Sequence, residues 1–597
     1  MTFIKSLQRW PAWLLVSFVL AVFLFFSLAH IRRPLGQEDL HWFGPAKSLY
    51  LTGSPRTYNE PDVVWVDHPH LYLRCITGAF RLFGISEVSA RLPGILAGVI
   101  STFLVFFLIK GFSPDRERST VWAALWALQY ALIPAVSVGS NYVMHDNTVL
   151  VPAIILLYYA FARFSIEGTW AWAIALATMA ALSLWIRIST PVAVLFLLAI
   201  LTPTYIKGGK RQWWCIATLA AGIALFLLSW DLYCDFTGFP FAKPISYTLG
   251  AILSKTHLAG TSKVPDLQSL IYLLLWLGPF SVFLFILAAA RRVSEFWRER
   301  TPRVEDLFCA GAILLMVGYT VAGDAIFGFP RYQSPAFPLI CIFAGLALCR
   351  WDALPEELNF GPIAGVALAA FAIQLGILRD VIFLIRYTLR LEAVGPTGFH
   401  PAINTLVCRG LAFCAAHGIL ALVCLRSSFK GRLLSFLFCL SFGANLGTCW
   451  LQRFAPYYVG YNYGGLGTVA AACYIAAQVP PYGVVLAPDE VLFYTGEYES
   501  KYGYTPHPLW LDKDALRRKL ADRDTMGFAY SIITNTVEQV RICRDDPEIA
   551  RILARDYSPK DIGSYTIWIR KRSSAATLVP LSAGRPAGSG LRRGRTG

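Results

Sequence analysis

The sequence predicts a polytopic α-helical membrane protein with a small extracytoplasmic α/β domain near its C-terminus. Three observations carry that prediction: an apolar composition, a ladder of bilayer-length apolar runs, and a change of character after Gln452. Of 597 residues, 56% are hydrophobic and 15% charged, with a mean hydropathy of +0.52. A soluble domain holds roughly 45–50% apolar and about 25% charged residues.

Crossing a bilayer takes about 20 apolar residues. Runs near that length lie at Pro11–His30, Leu92–Gly111, Val121–Val138, Thr148–Ile166, Trp170–Ile188, Pro191–Ile206, Trp213–Leu232, Leu267–Ala290, Asp306–Ala325, Ser334–Arg350, Gly361–Ile382, Pro401–Leu425 and Leu433–Gln452. That makes about 13 spans. The first is longer than the apolar core of a secretion signal and lacks a small-x-small cleavage site, so it reads as an uncleaved anchor.

The net charge of +16 raises nucleic acid as a partner, but the cations fall in short runs between apolar segments and do not form one basic face. They read as orientation signals. With the N-terminus cytoplasmic, the inner loops collect Lys5, Arg9, Arg116, Arg118, Lys207, Lys210, Arg211, Arg291, Arg292, Arg298, Arg300, Arg303, Arg350, Arg426, Lys430 and Arg432. Positive-inside asymmetry then fixes the topology of an inner (plasma) membrane protein.

An odd number of spans leaves everything after Gln452 outside. Helix-like stretches (Thr468–Val479, Asp514–Arg523, Thr536–Arg544) alternate there with β-rich runs (Gly483–Ala487, Gly527–Thr534, Tyr565–Ile569). The expected organisation is a transmembrane domain over 1–455, an outer α/β domain over 456–572 and a basic Gly/Ser-rich tail over 573–597. Most of the 13 cysteines sit inside spans and no C-x-x-C pair occurs. They read as packing residues, with Cys473 and Cys543 the one outer pair.

"RRPLGQEDLHW" begins at Arg32, just past the first span, and sets Glu38 and Asp39 side by side. They open a loop over 31–91 that contains two amphipathic runs, "FGPAKSLYLTG" and "HLYLRCITGAFRLFG", expected to lie as helices along the outer interface. Loops of this length usually have a function. By themselves the two acids could be solvated charges at a helix N-terminus.

The surrounding text resembles the C-type membrane glycosyltransferases (GT-C), in the branch holding protein O-mannosyltransferases and the lipid A aminoarabinose transferase. An acid pair after the first span, "PLGQEDLHWFGPAKSLYLTG", is followed by "DHPHLYLR" from Asp67 and "FGISEVSARLPGILAG" from Phe83. Asp146 in "SNYVMHDNTVLVP" and "PRYQSPAFPLI", with Arg331, Tyr332, Pro335 and Pro338, complete five motifs in order. The likeness spans about the first 350 residues. It implies a GT-C fold of thirteen spans with an outer C-terminal domain, and transfer of a hexose or pentose from a polyprenyl-phosphate sugar. Two departures stand out: the pair reads Glu-Asp where the family has Asp-Glu, and His70 replaces the second proline.

The chemistry is consistent with this resemblance. A polyprenyl-phosphate sugar needs an apolar groove, an outer cation for its phosphate and a base beside the sugar. Glu38 or Asp39 would deprotonate the acceptor hydroxyl as it attacks the anomeric carbon, while a cation stabilises the departing phosphate. Glu38 is the narrow first choice, aligned with the family's first acid. Asp146 would orient the acceptor or, with the pair, hold a divalent ion such as Mg2+ or Mn2+, although nothing in the motifs requires a cofactor. Candidate donor-binding residues are Arg331 and Tyr332 in an outer turn, Lys243 in an outer loop over 231–266 long enough to be a lid, Arg91, and His68. Arg409 and His417 are the deepest polar groups, equally readable as a structural pair. Acceptors open to such an enzyme are a lipid A sugar, another envelope glycan and a protein hydroxyl.

The rival class is a transporter or flippase of a lipid-linked sugar. Its ionisable groups would gather near the midplane, with two related halves. Here the acids cluster at outer helix ends and the second half does not echo the first. The orientation predicts that, in a cysteine-free background, an impermeant thiol reagent labels a single cysteine near Lys501 in intact cells and spares one in the 291–303 loop. The reverse pattern would invert the topology.

Overall fold

The computed structural model describes residues 10–56, 64–65, 67–113, 116–256, 276–321, 331–349, 365, 367–372, 430–454, 467–480, 483–495, 513–531, 546–563 and 565–571. Outside them lie the expected span over 401–425 with Arg409 and His417, most of that over 361–382, Lys501, Cys543 and the 573–597 tail.

The apolar runs form α1 (Ala12–Ser27), α4 (Glu87–Phe112), α5 (Arg116–Ala131), α7 (Leu150–Glu167), α8 (Trp170–Ile186), α9 (Ser189–Tyr205), α10 (Gly209–Thr237), α12 (Pro279–Glu299), α13 (Val304–Val321), α14 (Ala336–Cys349) and α15 (Lys430–Phe454). Four of them, counting α1 with the turn after it, are long and apolar enough to cross a membrane by length and composition: Ala12–His30, Glu87–Phe112, Leu150–Glu167 and Gly209–Thr237. The expected span Val121–Val138 is corrected. Helix α5 stops at Ala131 and a short α6 (Pro134–Gly139) follows, because Pro134 lacks an N–H and holds Ile133 extended at ψ 119°. The break delivers residues 140–149 to one end of the bundle as irregular chain.

Close packing and a few polar contacts hold the helices together. Gly222 of α10 lies so near α8 that a Cβ there would stand 2.6 Å from the Ala180 Cβ. Gln129 of α5 donates to Ser281 Oγ of α12 at 2.7 Å and also to Ser441 of α15, joining three helices where no water competes.

The two interfacial runs fold as α2 (Gln37–Thr52) and α3 (Leu71–Phe83). Leu40, Phe43 and Ala46 on α2 and Tyr72, Ile76, Ala79 and Phe80 on α3 recur at helical spacing and are buried, together with Trp42 and Trp65. Thr77 Oγ1 bonds the Ala46 carbonyl where the two helices meet. Gly53, at φ 80°, ends α2 in the left-handed conformation that a side chain would resist.

Helix α13 runs from a charged turn to Tyr319, which bonds Thr190 at the start of α9. Its 18 residues span about 27 Å at 1.5 Å each, so that turn lies at the far end of the bundle from the 31–91 loop. The cations expected there are largely paired. Arg292 grips Asp306 through two 2.7 Å bonds, and Arg303 meets Glu295 at 2.8 Å and Glu299 at 2.7 Å.

Beyond α15 come α16 (Thr468–Gln478), β1 (Val484–Leu486), α17 (Asp489–Thr495), α18 (Lys513–Ala521), β2 (Thr525–Ser531), α19 (Pro547–Asp556), β3 (Tyr557–Ile562) and β4 (Tyr565–Arg570). The sheet has order β1-β2-β4-β3, parallel between β1 and β2 and antiparallel elsewhere. Sequence reading missed β3, whose "YSPKDI" holds a proline and two charges. Such residues are tolerated on an edge strand, and β3 is one. It also missed α19, begun by Asp546, which accepts from the amides of Glu548 and Ile549 at 2.9 Å each.

Candidate active site

Gly36 precedes α2, and Asp39, at the third helical position, accepts from the Gly36 amide at 3.2 Å. The same carboxylate accepts from the Val143 amide at 3.0 Å and from Arg91 Nη2 at 3.1 Å. Asp39 is 1% exposed and Arg91 fully buried. Arg91 spends the rest of its guanidinium on backbone carbonyls, donating through Nε to Asn141 and through its terminal nitrogens to Ile31, Arg33 and Pro34. All five N–H groups are engaged. Arg91 therefore holds the loop and has no donor left for a phosphate, which corrects its expected role.

Glu38 is the second residue of α2 and its backbone is helical, while its side chain lies outside the described residues. Its neighbour Asp39 is fixed by three hydrogen bonds, two of them from backbone amides, with the Arg33 guanidinium 4.0 Å away.

The 140–149 segment brings Asp146 into the same region, where it is 2% exposed and pairs with Arg187 at the C-terminal end of α8. Arg187 also donates to Ser189 Oγ at 2.8 Å, and its guanidinium lies 4.6 Å from the Tyr332 ring centre. Arg331 lies over the same ring at 4.6 Å and donates to the Tyr332 hydroxyl at 2.8 Å. Arg331, Tyr332 and Asp146 thus share one cluster, joined through Arg187. Lys243 is exposed at the start of α11 (Lys243–Thr256), and this helix meets the cluster at Tyr247, whose ring stands 5.9 Å from His68.

His68 stacks on Trp42 with centroids 5.5 Å apart, and the His145 ring lies 4.5 Å from it. Burial, reinforced by Arg187 and the neighbouring imidazoles, holds both histidines well below the ordinary imidazole range and so neutral. His68 Nδ1 and both His145 nitrogens are buried without a hydrogen-bond partner. His70, the departure from the family's proline, uses Nδ1 to meet the Tyr233 hydroxyl of α10 at 2.9 Å. Burial lowers its pKa to about 4.

Sequence reading missed three residues here. Arg33, 12% exposed at its side chain, places its guanidinium 4.7 Å from the Tyr142 ring centre and 4.0 Å from Asp39. None of its three nitrogens has a hydrogen-bond partner. Its signal was the arginine doublet after the first span. Arg187 and His145 were legible only as single ionisable groups at the ends of apolar runs.

The described residues do not fit a metal. Asp39 and Asp146 each face a guanidinium, and among the described residues no three His, Cys, Asp or Glu side chains converge.

Residues 67–230 match the family model described as dolichyl-phosphate-mannose-protein mannosyltransferase. The fold is similar to the crystal structure of ArnT from Cupriavidus metallidurans bound to undecaprenyl phosphate, at 15% identity and a TM-score of 0.57, over 95% of this chain and 99% of that one. Against the same protein in the apo state the values are 17%, 0.54, 93% and 97%. No curated protein matches the chain in sequence. The chain is a multi-pass membrane protein with the GT-C fold, carrying a small C-terminal sheet.

The histidines give the site a pH signature. His70 titrates near 4 in the fold against an ordinary 6.5, so between those values the unfolded chain binds a proton that the folded chain refuses. Its contribution to stability is complete above about 6.5 and is lost as pH falls toward 4, by up to about 1.4 kcal/mol per pH unit. Thermal unfolding of the purified protein should therefore shift to lower temperature between pH 7 and 4.5, and His70→Gln should make that dependence shallower. An identical dependence in the variant would show that this histidine is not its source.

Proposed function

We propose that the protein is an integral membrane glycosyltransferase that moves a sugar from a polyprenyl-phosphate carrier to an envelope hydroxyl at the outer membrane face. The carrying observation is the division of labour between adjacent acids: Asp39 is consumed by Arg91 and two backbone amides, which leaves Glu38 for chemistry. Glu38 is the general base, taking the acceptor's proton as its oxygen bonds to the anomeric carbon. The bond from that carbon to the phosphate oxygen breaks, the electron pair leaves with the phosphate, and the configuration inverts.

Cations around the site suit the phosphate. Arg33 supplies a buried guanidinium whose nitrogens lack hydrogen bonds, a costly state that an anionic oxygen would relieve. Arg331 is the second ligand, with Tyr332 setting its plane. His68 faces the sugar or phosphate oxygens, and Asp146, steadied by Arg187, orients the acceptor. Lys243, exposed at the start of α11, is a further cation for the carrier phosphate. The ArnT structure that this fold resembles holds undecaprenyl phosphate, which supports a carrier of that class. The sugar is a hexose or pentose, and the acceptor a lipid A sugar, another glycan or a protein hydroxyl. The protein lies in the inner (plasma) membrane with its N-terminus cytoplasmic and its C-terminal α/β domain, residues 456–572, extracytoplasmic.

Purified Glu38→Gln, assayed with a labelled polyprenyl-phosphate sugar and acceptor-containing envelope lipid, should transfer roughly 10²–10⁴-fold more slowly than the parent while remaining monodisperse. A folded variant transferring at the parent rate would remove Glu38 from the chemistry.

A further inference from the structure

The outer α/β unit touches the loop that carries the acids through α17. Tyr494 accepts a hydrogen bond on its hydroxyl from the Leu35 amide at 2.8 Å and donates to Glu87 at 3.0 Å. One hydroxyl thus joins the chain three residues before Glu38 to the first turn of α4, the helix that carries Arg91. Beside it, fully buried Phe493 sets its ring edge-on to Phe43 of α2 at 5.2 Å and packs with Leu35, Leu40, Trp42 and Trp65.

The opposite side of α17 is built into the sheet unit. Val491 and Leu492 pack with Ile475 of α16, Val485 of β1, Ala529 of β2 and Ile567 of β4. Glu490 is fully buried and accepts from the Tyr565 hydroxyl of β4 at 3.1 Å. Seven residues of helix thereby couple a sheet to the N-terminus of α2.

We propose that the outer α/β unit positions the catalytic helix: Tyr494 and Phe493 latch Leu35 and α2, and so fix where Glu38 stands relative to the bound donor. This rests on the transferase reading above. The physical ground is that the chain before α2 is irregular and buried at Leu35 and Gly36, where an amide must find a partner. Arg91 satisfies its carbonyls, whereas the Leu35 amide is satisfied by a side chain 459 residues away. Tyr494 acts through the backbone of the 34–39 segment. It is a positioning residue and takes no proton from the substrate.

The test uses the full-length protein and Tyr494→Phe, which removes only the bridging hydroxyl and keeps the ring. Without substrate, hydrogen exchange of the peptide over 35–43 should accelerate by about tenfold or more as the Leu35 amide loses its acceptor. With a labelled polyprenyl-phosphate sugar, kcat should fall by about tenfold or more, as expected for a misplaced reacting group, while the donor KM stays within about twofold. Phe493→Leu, which loosens the ring contact and leaves the hydroxyl, gives an independent variant and should shift both readouts in the same direction. Unchanged exchange in both variants overturns the latch. Faster exchange with parent kcat overturns the positioning role. A parent that transfers sugar from no polyprenyl-phosphate donor counts against the transferase reading, and the exchange result then still decides the latch.

Discussion

The buried pair of Asp39 and Arg91 is the contact on which the 31–91 loop end of the bundle depends. Arg91 lies in the second turn of a membrane helix, and its five donors reach Asp39 and four carbonyls in two separate chain segments. Placing a full charge there is costly unless a counter-charge and complete hydrogen bonding accompany it, and both are present. Asp39 in turn caps its own helix and receives the Val143 amide, which draws the 140–149 segment against the 31–39 segment. Helix α4, the start of α2 and the segment carrying Asp146 are thereby held together around the space at the N-terminus of α2.

Charge near that space is arranged unevenly. Arg187 and Arg331 share the Tyr332 ring, with Asp146 answering Arg187, while Arg33 stands 4.0 Å from Asp39; burial foremost, and then the neighbouring charges, keep the His68 and His145 imidazoles neutral. Such a field is poised for an anion, which matches the phosphodiester of a lipid-linked sugar. The neutral histidines pack against Trp42, giving flat faces of the kind a sugar ring meets, and Phe493 of α17 joins the same aromatic cluster against Phe43.

Helix positions among the described residues were largely legible because lipid enforces long apolar runs. The break at Pro134 was visible as a residue but not as a break, since apolar character continues across it to Val138. The acid pair, Asp146 and the Arg331–Tyr332 turn were legible as motifs, and the fold brings the described members together. Roles were harder. Arg91 and Arg331 look alike in sequence, yet one lies where five backbone and side-chain oxygens converge and the other lies over an aromatic ring. That difference is set by tertiary contacts fifty or more residues apart, which local pattern does not encode. Arg33, Arg187 and the link from Tyr494 to Leu35 went unread for the same reason.

A double-mutant cycle on Asp39→Asn and Arg91→Met, with unfolding free energies measured on the purified full-length protein in one mild detergent, tests the central contact. Each single change leaves a buried partner unmatched and should cost about 3–5 kcal/mol. The double variant should cost clearly less than the sum, giving a coupling of about 2–3 kcal/mol. Additivity within about 0.5 kcal/mol would contradict the account, because the two side chains would then not be holding this end of the bundle as a pair.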